Sequence, residues 1–278
     1  MSVYKIDGSL PSSVYGKSGS QLIQAYDKNG NPLLTPPVQP KLVVMSYNVQ
    51  WFTAINSNQA MQEEIINTYN PHIIGLQEIH NPIGTVGSAV LSGYDYFEYG
   101  IQTNLSGIAS KILLDNATAG VFEHQANEIK GYQKAYLTFD GKQICWVNAH
   151  LDVSLYESTK VAQAAEVFSL VQNEPYFIIT GDFNTVCKSV NDTEYTTIMK
   201  QFVDAGYNCA NCTTQHGFLN TWTSGSTAGG TWYPCDHIIT SANISIVRVI
   251  VDERKIAIAA ETGQSIDHLP IIAELTIN

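Results

Sequence analysis

The chain has 278 residues, 44% of them hydrophobic, and a formal net charge of -11 at pH 7. That length and apolar content suffice for one large core or two small ones, while no run approaches the ~20 apolar residues of a membrane span. The acidic balance argues against a general nucleic-acid clamp, because phosphate backbones are gripped by Lys and Arg, and Arg248 and Arg254 are the only arginines.

Residues 1–40 are rich in Gly, Ser, Asn and Pro and read as an arm or linker able to attach the chain to a larger assembly. Within them Asn29-Gly30 sits between short alternating runs and suits a small hairpin. No apolar segment follows a basic start in Met1–Gly19, so no secretory signal is legible. From Lys41 the pattern changes, and residues 41–278 read as a single catalytic domain. Leu42-Val43-Val44-Met45 is a buried strand running to Asn48. Met61, Ile65, Ile66 and Tyr69 share one face of a helix over 58–69. Pro71 blocks its continuation, and Ile73-Ile74-Gly75-Leu76 begins the next strand. Further strands are expected near 94–99, 108–114, 133–139, 143–150, 176–181, 236–240, 244–251 and 271–277. Helices are expected near 158–172 and 193–205, the latter with Asp192 or Thr193 as N-cap. Many strands with few helices do not fit βαβ alternation; two packed sheets flanked by helices fit better. The Gly-rich segment 215–235 is a long loop whose Trp222, Trp232 and Tyr233 either serve a site or pin the loop.

Several strands end in a carboxylate, amide or imidazole: Asn48, Glu78, His150, Asp182 with Asn184, Asp236, and finally Asp267-His268. Strand tips are how a rigid floor presents polar groups. Glu78, Asn48 and Asp267 form an oxygen-rich set suited to a hard cation. Asp236 and His268 suit a pair in which the carboxylate fixes the imidazole tautomer. Singly, each has a bland reading: His150 as a satisfied core histidine, Asn48 and the Gly-Asp-Phe-Asn run as turn chemistry. Together and in order they point to metal-assisted chemistry on phosphate esters.

Five cysteines give an odd count. Cys209-Ala-Asn-Cys212 is a C-x-x-C without a second pair, read as a local disulfide or two inert thiols, and Cys145 reads as core filler.

The ordered set Tyr47-Asn48, Gln77-Glu78, His150-Leu151-Asp152, Gly181-Asp182-Phe183-Asn184, Asp236-His237-Ile238 and Ser265-Ile266-Asp267-His268-Leu269-Pro270 resembles the endonuclease/exonuclease/phosphatase superfamily, DNase I-like branch, over residues 41–277. Gly107-Ile108-Ala109-Ser110-Lys111 resembles that family's middle strand. The resemblance implies an α/β fold of the α+β type: a four-layer α/β/β/α sandwich of two mainly antiparallel sheets flanked by helices. It implies a Mg²⁺-dependent phosphodiester hydrolase, with Mn²⁺ or Ca²⁺ as alternatives, acting on nucleic acid. The other readings are a phosphatase or phospholipid diesterase of the same superfamily and an inactive binding module. By the same resemblance Glu78, Asn48 and Asp267 hold the metal; His150, Asp182, Asp236 and His268 are catalytic; and Asn184, His150 and Lys134 bind the phosphate. It leaves open whether Asp182 or His268 is the base. It also implies a Cys187–Cys235 disulfide, hence an oxidising or extracellular compartment. For a nucleic-acid substrate, activity is expected to fall steeply with salt.

Overall fold

Side-chain alternation along the strands decides how the layers stack. In β7 (Lys142–His150) Cys145, Val147 and Ala149 point one way, into a cluster with the helical residues Val167, Val171 and Phe202. Ile144 and Trp146 point the other way, into a cluster with Val44, Ile73 and Ile271 from a different sheet. A strand buried on both faces carries a near-continuous apolar run rather than an alternating one, which is how β7 reads in the sequence. In the computed structural model the described residues are 39–49, 56–79, 91–101, 104–126, 128–153, 157–223, 231–254, 256 and 267–278. Apart from residues 39 and 40, the expected arm and its Asn29-Gly30 hairpin lie outside them.

The first sheet has six strands, in the order β13 (Ile244–Val251), β14 (Ile271–Ile277), β1 (Leu42–Asn48), β2 (Ile73–Ile79), β4 (Asn104–Ser110) and β3 (Asp95–Ile101). The second runs β5 (Asp115–Val121), β6 (Gly131–Phe139), β7, β8 (Phe177–Asp182), β12 (Asp236–Thr240) and β9 (Asn208–Cys209), and β10 (Trp222–Thr223) pairs with β11 (Trp232–Tyr233) in a separate ribbon. Among the described residues, only β1–β2 and β7–β8 pair in parallel. Helix α1 (Asn56–Tyr69) lays Met61, Ile65 and Ile66 on Met45, Tyr47, Ile74 and Leu76, the outer face of the first sheet. It stops at Asn70, which takes a left-handed backbone (φ 46°) ahead of Pro71, a common helix ending. Helix α2 (Glu157–Val171) and the short α3 (Lys200–Asp204) cover the outer face of the second sheet. Three apolar clusters thus separate four layers, and this is the expected sandwich.

Two expectations shift. The strand expected at 108–114 ends at Ser110, because the Ser110 hydroxyl bonds the carbonyl and amide of Ile112 and turns the chain into β5. The helix expected at 193–205 is a π-helical turn, Tyr195–Met199, running into α3. Asp192 does not cap it with its side chain; that carboxylate accepts the amides of Lys188 and Ser189 in the turn before.

Between the sheets a buried polar network replaces apolar packing beneath one end of the sandwich. Asn148 accepts from Gln77 (2.7 Å) and Thr180 (3.0 Å) at Oδ1 and donates from Nδ2 to Leu76 O, Gly107 O and Gln133 Oε1. Trp146 donates to Thr180 at 3.0 Å. The sheets approach so closely here that a Cβ on Gly75 would lie 2.0 Å from Thr180 Oγ1 and 2.4 Å from Asn148 Oδ1.

Candidate active site

Strand register assembles the site. Parallel pairing of β7 with β8 sets His150 opposite Asp182, and antiparallel pairing of β8 with β12 sets Asp182 opposite Asp236. Three functional side chains therefore stand on one rung of adjacent central strands and point between the sheets. From the facing sheet, β1 brings Asn48 beside Gln77 of β2. An irregularity in the β2–β4 pairing between Leu76 and Ile79 re-aims the next residue, Glu78, which sits at φ 55°. A non-glycine residue in that region costs ~1–3 kcal/mol and persists only where its surroundings over-determine it. Asn184, at φ 50°, is the second such residue at the site.

Asp182 is the hub. Its Oδ2 accepts the Asn48 amide at 3.0 Å and lies 3.6 Å from His150 Nε2 and 3.5 Å from His268 Nε2, while Oδ1 accepts the Asn184 backbone N–H at 2.8 Å. His268 Nδ1 meets Asp236 Oδ2 at 2.9 Å, the carboxylate–imidazole pair expected from the sequence. Glu78 Oε1 is 4.0 Å from His150 Nε2. Glu78, Asn184, Asp267 and His268 open into one cleft of about 500 Å³, with Trp222, Val153 and Val186 on its walls.

Burial opposes charge throughout, and the neighbours decide which groups stay charged. For His268, burial is overcome by the carboxylates of Asp236 and Asp182, which push its pKa up to about 10. Asp236 is raised to about 6, chiefly by burial and against the pull of His268. Between those values the pair is imidazolium and carboxylate. Asp182 resists burial through His268, His150 and the Asn48 and Asn184 donors, and is held below the usual carboxylate range. His150 goes the other way, depressed to about 3 by burial and then by the Lys130 ammonium, so it is neutral. Burial raises the Glu78 carboxyl, with His268 and Asn48 acting against the rise.

Glu78, Asp182 and His268 each offer a ligand atom within 4.8 Å of the others. His268 Nδ1 is engaged by Asp236, and Glu78 and Asp182 offer carboxylate oxygens. The Oδ1 of Asp267 is buried with no hydrogen-bond partner among the described residues. A hard divalent cation fits such a donor set; a soft one does not.

Of the sequence-derived candidates, the structure brings Asn48, Glu78, His150, Asp182, Asn184, Asp236, Asp267 and His268 together. It does not bring Lys134. Lys134 sits on the outer face of β6, donating to Leu170 O at 2.9 Å and pairing with Glu174, because Gln133 takes the inward position through its bond to Asn148. Among the described residues two lysines stand at the site: Lys160, which lines the cleft and pairs with Glu194, and Lys130, 3% exposed, whose Nζ lies 3.0 Å from His150 Nε2 and 3.0 Å from Glu128. Sequence reasoning missed Lys130 because it precedes β6, where strand alternation has no bearing. The Asn184 side-chain amide is also committed, donating to Leu151 O at 2.9 Å. Trp222 does border the site: it bridges to His268, and Thr223 N donates to Asp267 O. The expected Cys187–Cys235 disulfide is absent. Cys187 Sγ faces Cys212 Sγ at 3.0 Å, while Cys235 donates to Thr185 O, and all five cysteines are free thiols. The local Cys209–Cys212 alternative fails for the same reason, since Cys212 turns towards Cys187.

Residues 45–257 match the model of the endonuclease/exonuclease/phosphatase family. No curated protein matches the sequence. Among solved structures, an endonuclease/exonuclease/phosphatase protein from Bacteroides vulgatus superposes with TM-score 0.69 at 17% identity, covering 86% of this chain and 100% of that one. TDP2 of D. rerio in complex with a single-strand DNA product gives 0.64 at 17%, covering 85% and 99%. The human Nocturnin catalytic domain with a bound sulfate anion gives 0.65 at 18%, covering 86% and 94%. At these identities the likeness speaks for the fold.

Proposed function

The chain belongs to the endonuclease/exonuclease/phosphatase family of phosphoric ester hydrolases, and from that premise we propose that it is a Mg²⁺-dependent phosphodiesterase cleaving nucleic acid. The observation that carries this reading is the convergence of Asp182, His268–Asp236, His150 and Glu78 in one cleft. Glu78 would anchor the cation with Asn48 and Asp267 beside it; Mn²⁺ or Ca²⁺ suits the same donors. Once bound, the ion supplies Lewis-acid neutralisation of the non-bridging phosphoryl oxygens. Asp182, held ionised, orients a water and accepts its proton at Oδ2. His268, clamped as imidazolium by Asp236, stabilises charge on the phosphoryl group and donates a proton to the leaving oxygen. His150, neutral and backed by Lys130, offers a further polar contact to the phosphate. The likeness to a TDP2 holding a single-strand DNA product supports nucleic acid as substrate.

A phospholipid-type diester is the second reading, favoured by Val153 and Val186, 50% and 43% exposed beside Trp222 in the cleft. Plasmid nicking at low salt, with sphingomyelin vesicles and inositol phosphates in parallel, tests both. Nicking that requires Mg²⁺ and falls ~100-fold or more in Glu78→Gln supports the proposal. Vesicle hydrolysis without nicking overturns the nuclease reading.

A further inference from the structure

We propose that Cys187 and Cys212 are a disulfide-forming pair, oxidised by a small-molecule disulfide such as oxidised glutathione. The bond would staple the turn bearing Asp182 and Asn184 to the loop that supports Asp236. Their sulfurs are 3.0 Å apart, about 1 Å beyond a covalent S–S bond. Both side chains are buried, and Cys235 is directed elsewhere, onto the Thr185 carbonyl. Cys212 holds a left-handed backbone, φ 58°, fixed by its neighbour. Asn211 Oδ1 accepts the amides of Cys212 (2.8 Å) and Leu219 (2.7 Å), and Asn211 Nδ2 donates to Asp236 O at 3.1 Å. One side chain thus ties the Cys212 backbone to the catalytic carboxylate's backbone, and Cys187 lies three residues beyond Asn184. A Cys187–Cys212 bond would close the remaining side of this frame.

The chemistry has a direction. Cys187 helps line a surface cleft of about 380 Å³ with Val186, Lys188, Asp192 and Tyr233, so an oxidant entering there meets Cys187 first. Burial and the adjacent Cys187 thiol push the Cys212 thiol well above its ordinary value, which keeps it from attacking first; its place 3.0 Å from the Cys187 sulfur is what carries the second step. Cys187 thiolate attacks the small disulfide, forming a mixed disulfide and releasing one thiol. Cys212 thiolate then attacks the Cys187 sulfur and releases the second. The two cysteines lose two electrons and two protons, and the reagent disulfide becomes two thiols.

The test uses the full chain equilibrated with oxidised glutathione, alkylated under denaturing conditions and mapped by mass spectrometry without reduction. The expected result is a single link joining the peptides of Cys187 and Cys212, with a Tm that falls by roughly 5–10 °C on reduction. Cys187→Ala and Cys212→Ala each lose the link and the reductant-sensitive part of Tm, whereas Cys209→Ala and Cys235→Ala keep both. A Cys187–Cys235 link, a Cys209–Cys212 link, or five alkylated thiols after full oxidation would overturn the proposal. None of these readouts depends on which ester the cleft hydrolyses.

Discussion

His268 concentrates the electrostatics of the site, and its raised pKa makes it a stability device as well as an acid. A histidine whose folded pKa lies above its unfolded value stabilises the fold fully below about pH 6.5, the unfolded value. That contribution is lost as pH rises towards about 10, where the folded group deprotonates. Denaturant unfolding in EDTA should therefore show wild-type stability declining between pH 6.5 and pH 10, with a much flatter profile in His268→Gln. Equal slopes would contradict the imidazolium assignment. A second prediction concerns Lys130. Since its ammonium is the second cause of the depressed His150 pKa, Lys130→Met should raise that pKa from about 3, though burial keeps it below the usual histidine value. Imidazole NMR titration reads this directly, and an unmoved His150 would remove Lys130 from the site's electrostatics.

At the scale of elements, the strand tips were legible in the sequence because each is a buried run closed by polar residues, as in Ile74-Gly75-Leu76-Gln77-Glu78. The rung that aligns His150, Asp182 and Asp236 was not, since register depends on pairing between segments far apart in the chain. Lys134 and Cys235 illustrate the difference: residue type and position along the chain suggested a role that the face of β6 and the direction of one Sγ deny. The polar network between the sheets was equally hidden, because Gln77, Asn148 and Thr180 acquire their roles only when the sheets pack. Its tightest point gives a test. Gly75→Ala would force a methyl into Thr180 and Asn148 and should destabilise the protein by about 3 kcal/mol or more, read by denaturant unfolding. A tolerated alanine would mean that the sheets sit farther apart than described.

For the molecule as a whole, the net charge of -11 shapes how an anionic polymer could be met. Composition alone suggested a steep salt dependence for any nucleic-acid substrate. That slope counts phosphates neutralised by protein cations, and Lys130 and Lys160, beside the cleft, are 3% and 4% exposed and paired with Glu128 and Glu194. A logarithmic plot of KM against salt for a single-stranded oligonucleotide should be shallow, with a slope of about 1 or less. A slope of several units would reveal a basic track that the described residues do not contain.

The shared rung on β7, β8 and β12 also bears on how activity is lost. β7 and β8 lie inside the second sheet, paired on both sides, and β12 pairs along its length with β8 and at Ile239–Thr240 with β9; all three are covered on both faces. Amides in such positions exchange with solvent only when the entire domain opens. The deuterium uptake of Ala149, Gly181 and His237 should therefore track global unfolding, and catalytic power should vanish in the same cooperative step as the fold instead of eroding beforehand through partial melting.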